Sequence, residues 1–128
     1  GTSIEDRKSL HRLGTLRDCP AHTRFISFEP LLEALWPLDL TGYQWAIVGG
    51  ESGPGFRPMN HLWARAIKDR CVDQGVAFFF KQSAAPRTEM GTTLQDWDSH
   101  FWTWHQFPDT LTPPAPGEPH RYAYPRAA

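Results

Sequence analysis

The sequence predicts an α/β fold, a partial parallel β/α barrel of about four strands with covering helices. Two observations carry this. Four short runs, Thr2-Ser-Ile-Glu5, Phe25-Ile-Ser-Phe-Glu29, Trp45-Ala-Ile-Val-Gly-Gly-Glu51 and Val76-Ala-Phe-Phe-Phe-Lys-Gln82, pass from apolar into charged or amide residues. Buried parallel strands look this way when they deliver polar groups to a pocket at their carboxyl ends. The run starts near 2, 25, 45 and 76 also leave room for a helical crossover each time. That is the rhythm of repeated βαβ units with right-handed crossovers. The runs carry few polar residues before their ends, the pattern of a sheet covered on both faces.

Each element has a local reason. Residues 6 to 18 read as a helix: Glu5 and Asp6 suit the positive end of its dipole, and Leu10, Leu13 and Leu16 share one face. Pro20 closes it. After the strand Phe25 to Phe28, Leu31, Leu32 and Leu35 fit a short helical turn that Pro37 ends. Thr41-Gly42 turns the chain into the Trp45 strand. Asn60 suits the N-cap of a helix from about His61 to Gln74, with Trp63, Ala66, Ile67 and Cys71 inward and Gly75 as its C-terminal cap. Val76 to Phe80 is the fourth strand. Residues 83 to 100 have no clear period. Phe101-Trp-Thr-Trp104 alternates, as an edge strand or a packed aromatic segment would. Prolines at 108, 113, 114, 116, 119 and 125 make residues 110 to 128 an extended tail, lying on the surface or disordered. The expected division is a barrel-like part, 1–108, and a proline-rich tail, 109–128.

Barrel closure takes about eight parallel strands. Four would leave two unpaired edges. The chain opens almost directly on a strand, so the reading favours the C-terminal part of a larger barrel over a small open sheet.

Composition narrows the function classes. A net charge of -1 and a pI near 6.6 argue against a broad nucleic-acid footprint and leave room only for a local basic groove. No run approaches the roughly 18 apolar residues that span a membrane, and no signal peptide precedes the first strand, so the expected location is cytoplasmic. Cys19 and Cys71 are far apart and read as reduced thiols. No CxxC and no His/Cys pair at zinc spacing occurs, so no metal ligands are assigned. The histidines read as surface residues, His61 among them in a first helical turn. Six tryptophans and eight phenylalanines imply a bulky core, or an aromatic interface covered by a second copy or by a missing N-terminal half.

Several blocks recur in a known order. Gly-Thr-Ser-Ile-Glu-Asp6, Arg24-Phe-Ile-Ser-Phe-Glu-Pro-Leu-Leu32, Asp39-Leu-Thr-Gly42, Trp45-Ala-Ile-Val-Gly-Gly-Glu-Ser-Gly-Pro-Gly55, Arg57-Pro-Met59, Phe78-Phe-Phe-Lys-Gln82 and Trp104-His-Gln-Phe-Pro108 resemble the C-terminal half of the phage gene product 37/68 family. That group is similar to radical S-adenosylmethionine enzymes. The resemblance covers roughly residues 1 to 108. Ser83-Ala84-Ala85 stands where the family has an aromatic residue and glycine. The resemblance implies a parent enzyme using S-adenosylmethionine and a [4Fe-4S] cluster held by three upstream thiolates. This chain has no such triplet, so it is expected to hold neither group and to be inactive alone.

In parallel α/β folds, ligands sit beyond the carboxyl ends of the strands. Glu5, Glu29, Glu51, Lys81 and Gln82 are therefore the candidate catalytic residues. Ser27, Gly49, Gly50, Ser52 and Arg57 are the candidate ligand-binding residues. Gly49 and Gly50 would let a ligand approach the backbone, and N–H groups from Gly50 to Gly55 would suit an anion. Gly49-Gly-Glu51 resembles in letters a cofactor contact of radical S-adenosylmethionine enzymes, although it falls late in the barrel. Plainer roles fit the same residues: Glu29 as a turn cap, Glu51 and Ser52 as turn holders, Lys81 as a solvated end or a glutamate's partner, and Arg57 in an ion pair. Gln82 ends an all-phenylalanine run, and a buried amide needs partners. Three functions stand open. One is the C-terminal part of a radical enzyme, with nucleic acid a substrate that the charge does not support. Another is a self-associating half-barrel. The last is a hydrolase pairing Glu29 with Glu51 at a separation of about 5–9 Å.

Overall fold

The computed structural model describes residues 1–108 and the strand Ala123–Pro125. β1 (Thr2–Ser3) leads through a 3-10 turn (Arg7–Ser9) to α1 (Arg12–Arg17). β2 (Phe25–Phe28), β3 (Trp45–Val48), α2 (His61–Gln74) and β4 (Ala77–Phe80) follow. β5 (Leu94–Gln95), β6 (Phe101–Trp104) and β7 (Ala123–Pro125) come last. The first four strands form a parallel sheet in the order β1-β2-β3-β4, with Ile26 beside Ala46 and Ala46 beside Phe78. The remaining three form an antiparallel sheet in chain order.

The expected strands are present, each shorter than its run. The expected helix 6–18 is divided. Asp6 accepts from Ser9 N (3.1 Å) and caps a 3-10 turn, and only Arg12–Arg17 is α-helical. The helical turn at Leu31–Leu35 is absent. Leu31 N donates to Gly49 O (2.9 Å) and Leu32 N to Glu5 O (3.1 Å), so neighbouring strand ends take the N–H groups that a helix would use. The leucines still serve the core, where Leu31, Leu35, Leu38 and Leu40 are buried. α2 matches its expected bounds. Asn60 Oδ1 accepts from Leu62 N (2.9 Å), and Gly75, at φ 70°, lets Val76 N reach Cys71 O (2.8 Å). Its buried stripe is Ala64, Ile67, Lys68 and Cys71, while Trp63 and Ala66 are half-buried.

Lys68 masks that stripe in the sequence. Its ammonium lies 2.7 Å from both Asp69 and Asp96 and 5.4 Å from the Trp104 ring centroid. Two carboxylates and an aromatic face make its burial tolerable. The same contacts hold the segment before β6 against α2, helped by Trp97 Nε1 donating to Asp69 Oδ2 (2.6 Å). The alternating Phe101–Trp104 segment is thus a strand of a second sheet. Of the expected tail, Ala123–Pro125 pairs with β6, and the rest lies outside the described residues.

Coverage of the main sheet differs from the two-sided expectation. Ile26, Phe28, Ala46, Val48, Phe78 and Phe80 are buried with Leu13 of α1, Ile67 and Cys71 of α2, and Trp104. The alternate residues Phe25, Ser27, Trp45, Ile47 and Phe79 are half-buried. One face is therefore core and the other partly open. Part of each sheet edge is engaged within the chain. On the outer side of β4, Gln106 N donates to Phe78 O (3.0 Å) and Gln106 Oε1 accepts from Phe78 N (2.8 Å). On β1, Arg12 Nη1 donates to Ser3 O (2.7 Å). The described residues form an open sheet and do not close a barrel. Among them, no helix is long and apolar enough to cross a membrane.

Candidate functional site

The carboxyl ends of the strands do gather the polar residues, and the structure pairs them with one another. Glu29 extends β2, and Lys81 and Gln82 extend β4. They meet across β3: Lys81 Nζ lies 3.1 Å from each Glu29 oxygen, and Gln82 Nε2 lies 3.3 Å from Oε1. Gly49 makes this crossing possible. A Cβ there would stand 3.0 Å from both Glu29 Cδ and Gln82 Nε2. Gln82 is buried and also donates to Gly50 O (2.9 Å), which satisfies its amide.

Glu51 forms a separate unit. Arg57 grips its carboxylate with Nε (2.8 Å) and Nη2 (2.9 Å), and Arg57 N donates to it as well (2.8 Å). These bonds hold the Glu51 carboxyl down at about 2 and push Arg57 further up. Glu5 stands apart, 3.2 Å from Ser9 Oγ and 3.4 Å from Arg12 Nη1. Ser27 is half-buried on the open face, and Ser52 is exposed, bridged to Ala85.

The space expected for a ligand at the two glycines is taken by protein. Glu29 and Gln82 fill the place above Gly49. At Gly50 a Cβ would lie 2.2 Å from Ala84 N, so the loop after β4 passes directly over it. Gly50 N donates to Gln82 O (2.8 Å) and Gly53 N to Ala85 O (3.1 Å), which uses two of the N–H groups proposed for an anion.

One pair at this edge escaped the sequence reading. His61 is half-buried, with Nε2 2.9 Å from Ser83 Oγ and its ring 6.1 Å from Phe80. Burial and then the nearby Arg65 charge push its pKa down, so it favours the neutral imidazole. The only signal was its place just after the N-cap Asn60, at the start of α2.

The two cysteines of this chain lie outside the implied cluster triplet. Cys71 is fully buried in α2, and burial pushes its thiol well up, away from the thiolate that iron requires. Cys19 is exposed and its Sγ donates to Thr15 O (3.5 Å). These residues do not fit a [4Fe-4S] cluster, and the filled glycine positions do not fit S-adenosylmethionine.

The sequence profile of one family, described as Protein of unknown function (DUF5131), matches residues 1–108. The chain belongs to this family. No curated protein and no solved structure matches it. The DUF5131 region thus spans the parallel sheet, α2 and the segment through Gln106 that clasps β4.

Proposed function

We propose that this chain is the C-terminal part of a β/α-barrel enzyme of the radical S-adenosylmethionine type and is catalytically silent alone. The observation that carries the reading is the unequal coverage of the sheet. Four parallel strands run in consecutive order, their core lies on one face, and Phe25, Ser27, Trp45, Ile47 and Phe79 remain half-buried on the other. Consecutive parallel strands with helices on one side are what a segment of a barrel wall presents, its partly open face being the lumen. The resemblance to the phage gene product 37/68 family supplies the chemistry of the parent. In that parent, the cluster and S-adenosylmethionine are held by an upstream part. The Glu29–Lys81–Gln82 bridge contributes a rigid, charged rim at the carboxyl end of the lumen.

The clasped β4 edge supports a wall that stops at β4, because Gln106 occupies the main-chain groups of Phe78 that a next strand would need. The paired-carboxylate alternative is weaker. Glu29 is bound by Lys81 and Gln82, and Glu51 stays ionised far below neutral pH in its pair with Arg57, so Glu51 is not poised to deliver a proton.

Sequencing the reading frame upstream of the Gly1 codon tests the proposal. The expected result is a strand followed by a cysteine triplet. The longer protein, reconstituted anaerobically with iron and sulfide, should then cleave S-adenosylmethionine while this chain does not. A frame without the triplet, or turnover by this chain alone, overturns it. The half-barrel that self-associates is the second reading, favoured by the aromatic residues on the open face. Sedimentation of a compact monomer argues against it.

A further inference from the structure

An apolar groove of about 180 Å³ lies between α2 and the loop that follows β2, on the helix side of the sheet. Trp36 and Leu38 line it from the loop, and Leu62, Trp63, Ala66 and Ile67 line it from the helix. An apolar cavity of about 150 Å³ is enough to take up benzene, so one ring or a short chain fits here. The floor is continuous with the core, where Leu38 and Ile67 are buried. The mouth is open: Trp36 is 55% exposed and Leu62 46%.

One end of the groove is cationic. Arg70 follows Ala66 and Ile67 by one helical turn, on the same stripe of α2. Its guanidinium carbon lies 4.5 Å from the centroid of the Trp36 ring. That stack fixes the plane of the fork and leaves an edge for an acceptor. Among the described residues no acceptor takes it: Arg70 makes no ion pair there, and its Nε is buried without a hydrogen-bond partner. The carboxylates that adjoin the groove in sequence are committed elsewhere. Glu33 accepts from Arg7 N, Asp39 from Thr41 and Gln74, and Asp69 from Trp97 while pairing with Lys68. Asp73, three residues beyond Arg70, is exposed and does not pair with it.

We propose that this groove binds a small monocarboxylate with a single-ring or short-chain apolar body. The body lies between Trp36 and α2, and the carboxylate takes the unpaired edge of Arg70 in a charge-assisted pair. Apolar burial supplies the affinity common to any ligand of this size, and Arg70 selects the anion. The groove is built from described residues of this chain and lies away from the Glu29–Lys81–Gln82 network, so it does not rest on the barrel-part reading.

The test is titration of the full chain with phenylacetate and with its neutral isostere phenylacetamide, read by calorimetry. Saturable binding is expected, about tenfold tighter for the acid. Arg70→Met keeps an apolar stem beside Trp36 and removes the charge. It should lower the affinity for phenylacetate to that for the amide and leave the amide unchanged. Ala66→Phe fills the groove and should abolish binding of both, with a urea midpoint confirming that the variant is folded. Should it not fold, Arg70→Met alone decides. No saturable heat up to about 20 mM phenylacetate overturns the proposal. Equal affinity for acid and amide also overturns it, as does unchanged phenylacetate binding in Arg70→Met or in a folded Ala66→Phe.

Discussion

The two faces of the parallel sheet carry similar residue types and have different fates. Phe28, Val48, Phe78 and Phe80 lie in the core, whereas Phe25, Trp45, Ile47 and Phe79, on the same strands, are only half-buried. The difference comes from what the connections supply. α1, α2 and the leucine-rich loop between β2 and β3 all bury their apolar residues in one core. Among the described residues, the opposite face receives the 105–107 segment: His105 stacked on Phe79 at 4.3 Å, and Phe107 at 5.5 Å. Apolar composition in a strand therefore records the sheet's capacity for burial. Which face is covered is decided by the crossovers.

Truncation on either face should break or sharpen this contrast. Phe28→Ala should cost about 3–5 kcal/mol in urea unfolding, from lost transfer energy and a residual cavity. Ile47→Ala, one strand over on the open face, should cost less than half as much. Equal losses would mean that the open face is covered in solution. The next effect is at the clasped edge. Gln106→Ala strands the Phe78 N–H and should cost about 1–3 kcal/mol, with faster amide exchange at Phe78 as its direct signature. Gly14 lies within α1, and a Cβ there meets nothing within 4 Å. Gly14→Ala should therefore stabilise the covering layer by about 0.5–1 kcal/mol, read as a higher denaturation midpoint.

The smallest effect is visible only in acid. Glu51 falls from an ordinary 4.5 to about 2 in the fold, so its pair with Arg57 contributes fully above pH 4.5 and is lost as pH drops toward 2. Glu51→Gln should match the parent at pH 2 and lag behind it above 4.5. A gap of constant size across that range would show that the ion pair is not its cause.

Much of the fold could be read from local rules. Asn60 and Gly75 bound α2 as expected, and the apolar runs became the four parallel strands. What failed depended on distant partners. The helical turn at Leu31 lost its N–H groups to Gly49 and Glu5, and Lys68 hid the buried stripe of α2 because its carboxylate Asp96 lies far along the chain. At the strand ends, the residue types that would serve a ligand are the same ones that satisfy each other. Glu29, Lys81 and Gln82 did converge. Their touching over the bare Gly49, and the lean of His61 on Ser83, depend on residues far apart in the chain.

The contrast between the two thiols gives the chain a built-in reporter of its own opening. Cys19 is exposed and Cys71 is sealed inside the core as a neutral thiol. A thiol reagent added to the native protein should count one sulfhydryl at once. The second should appear only as fast as α2 lifts from the sheet. The rate of that late step, followed against denaturant, measures how often this part of the molecule breathes, with no label added and no residue changed.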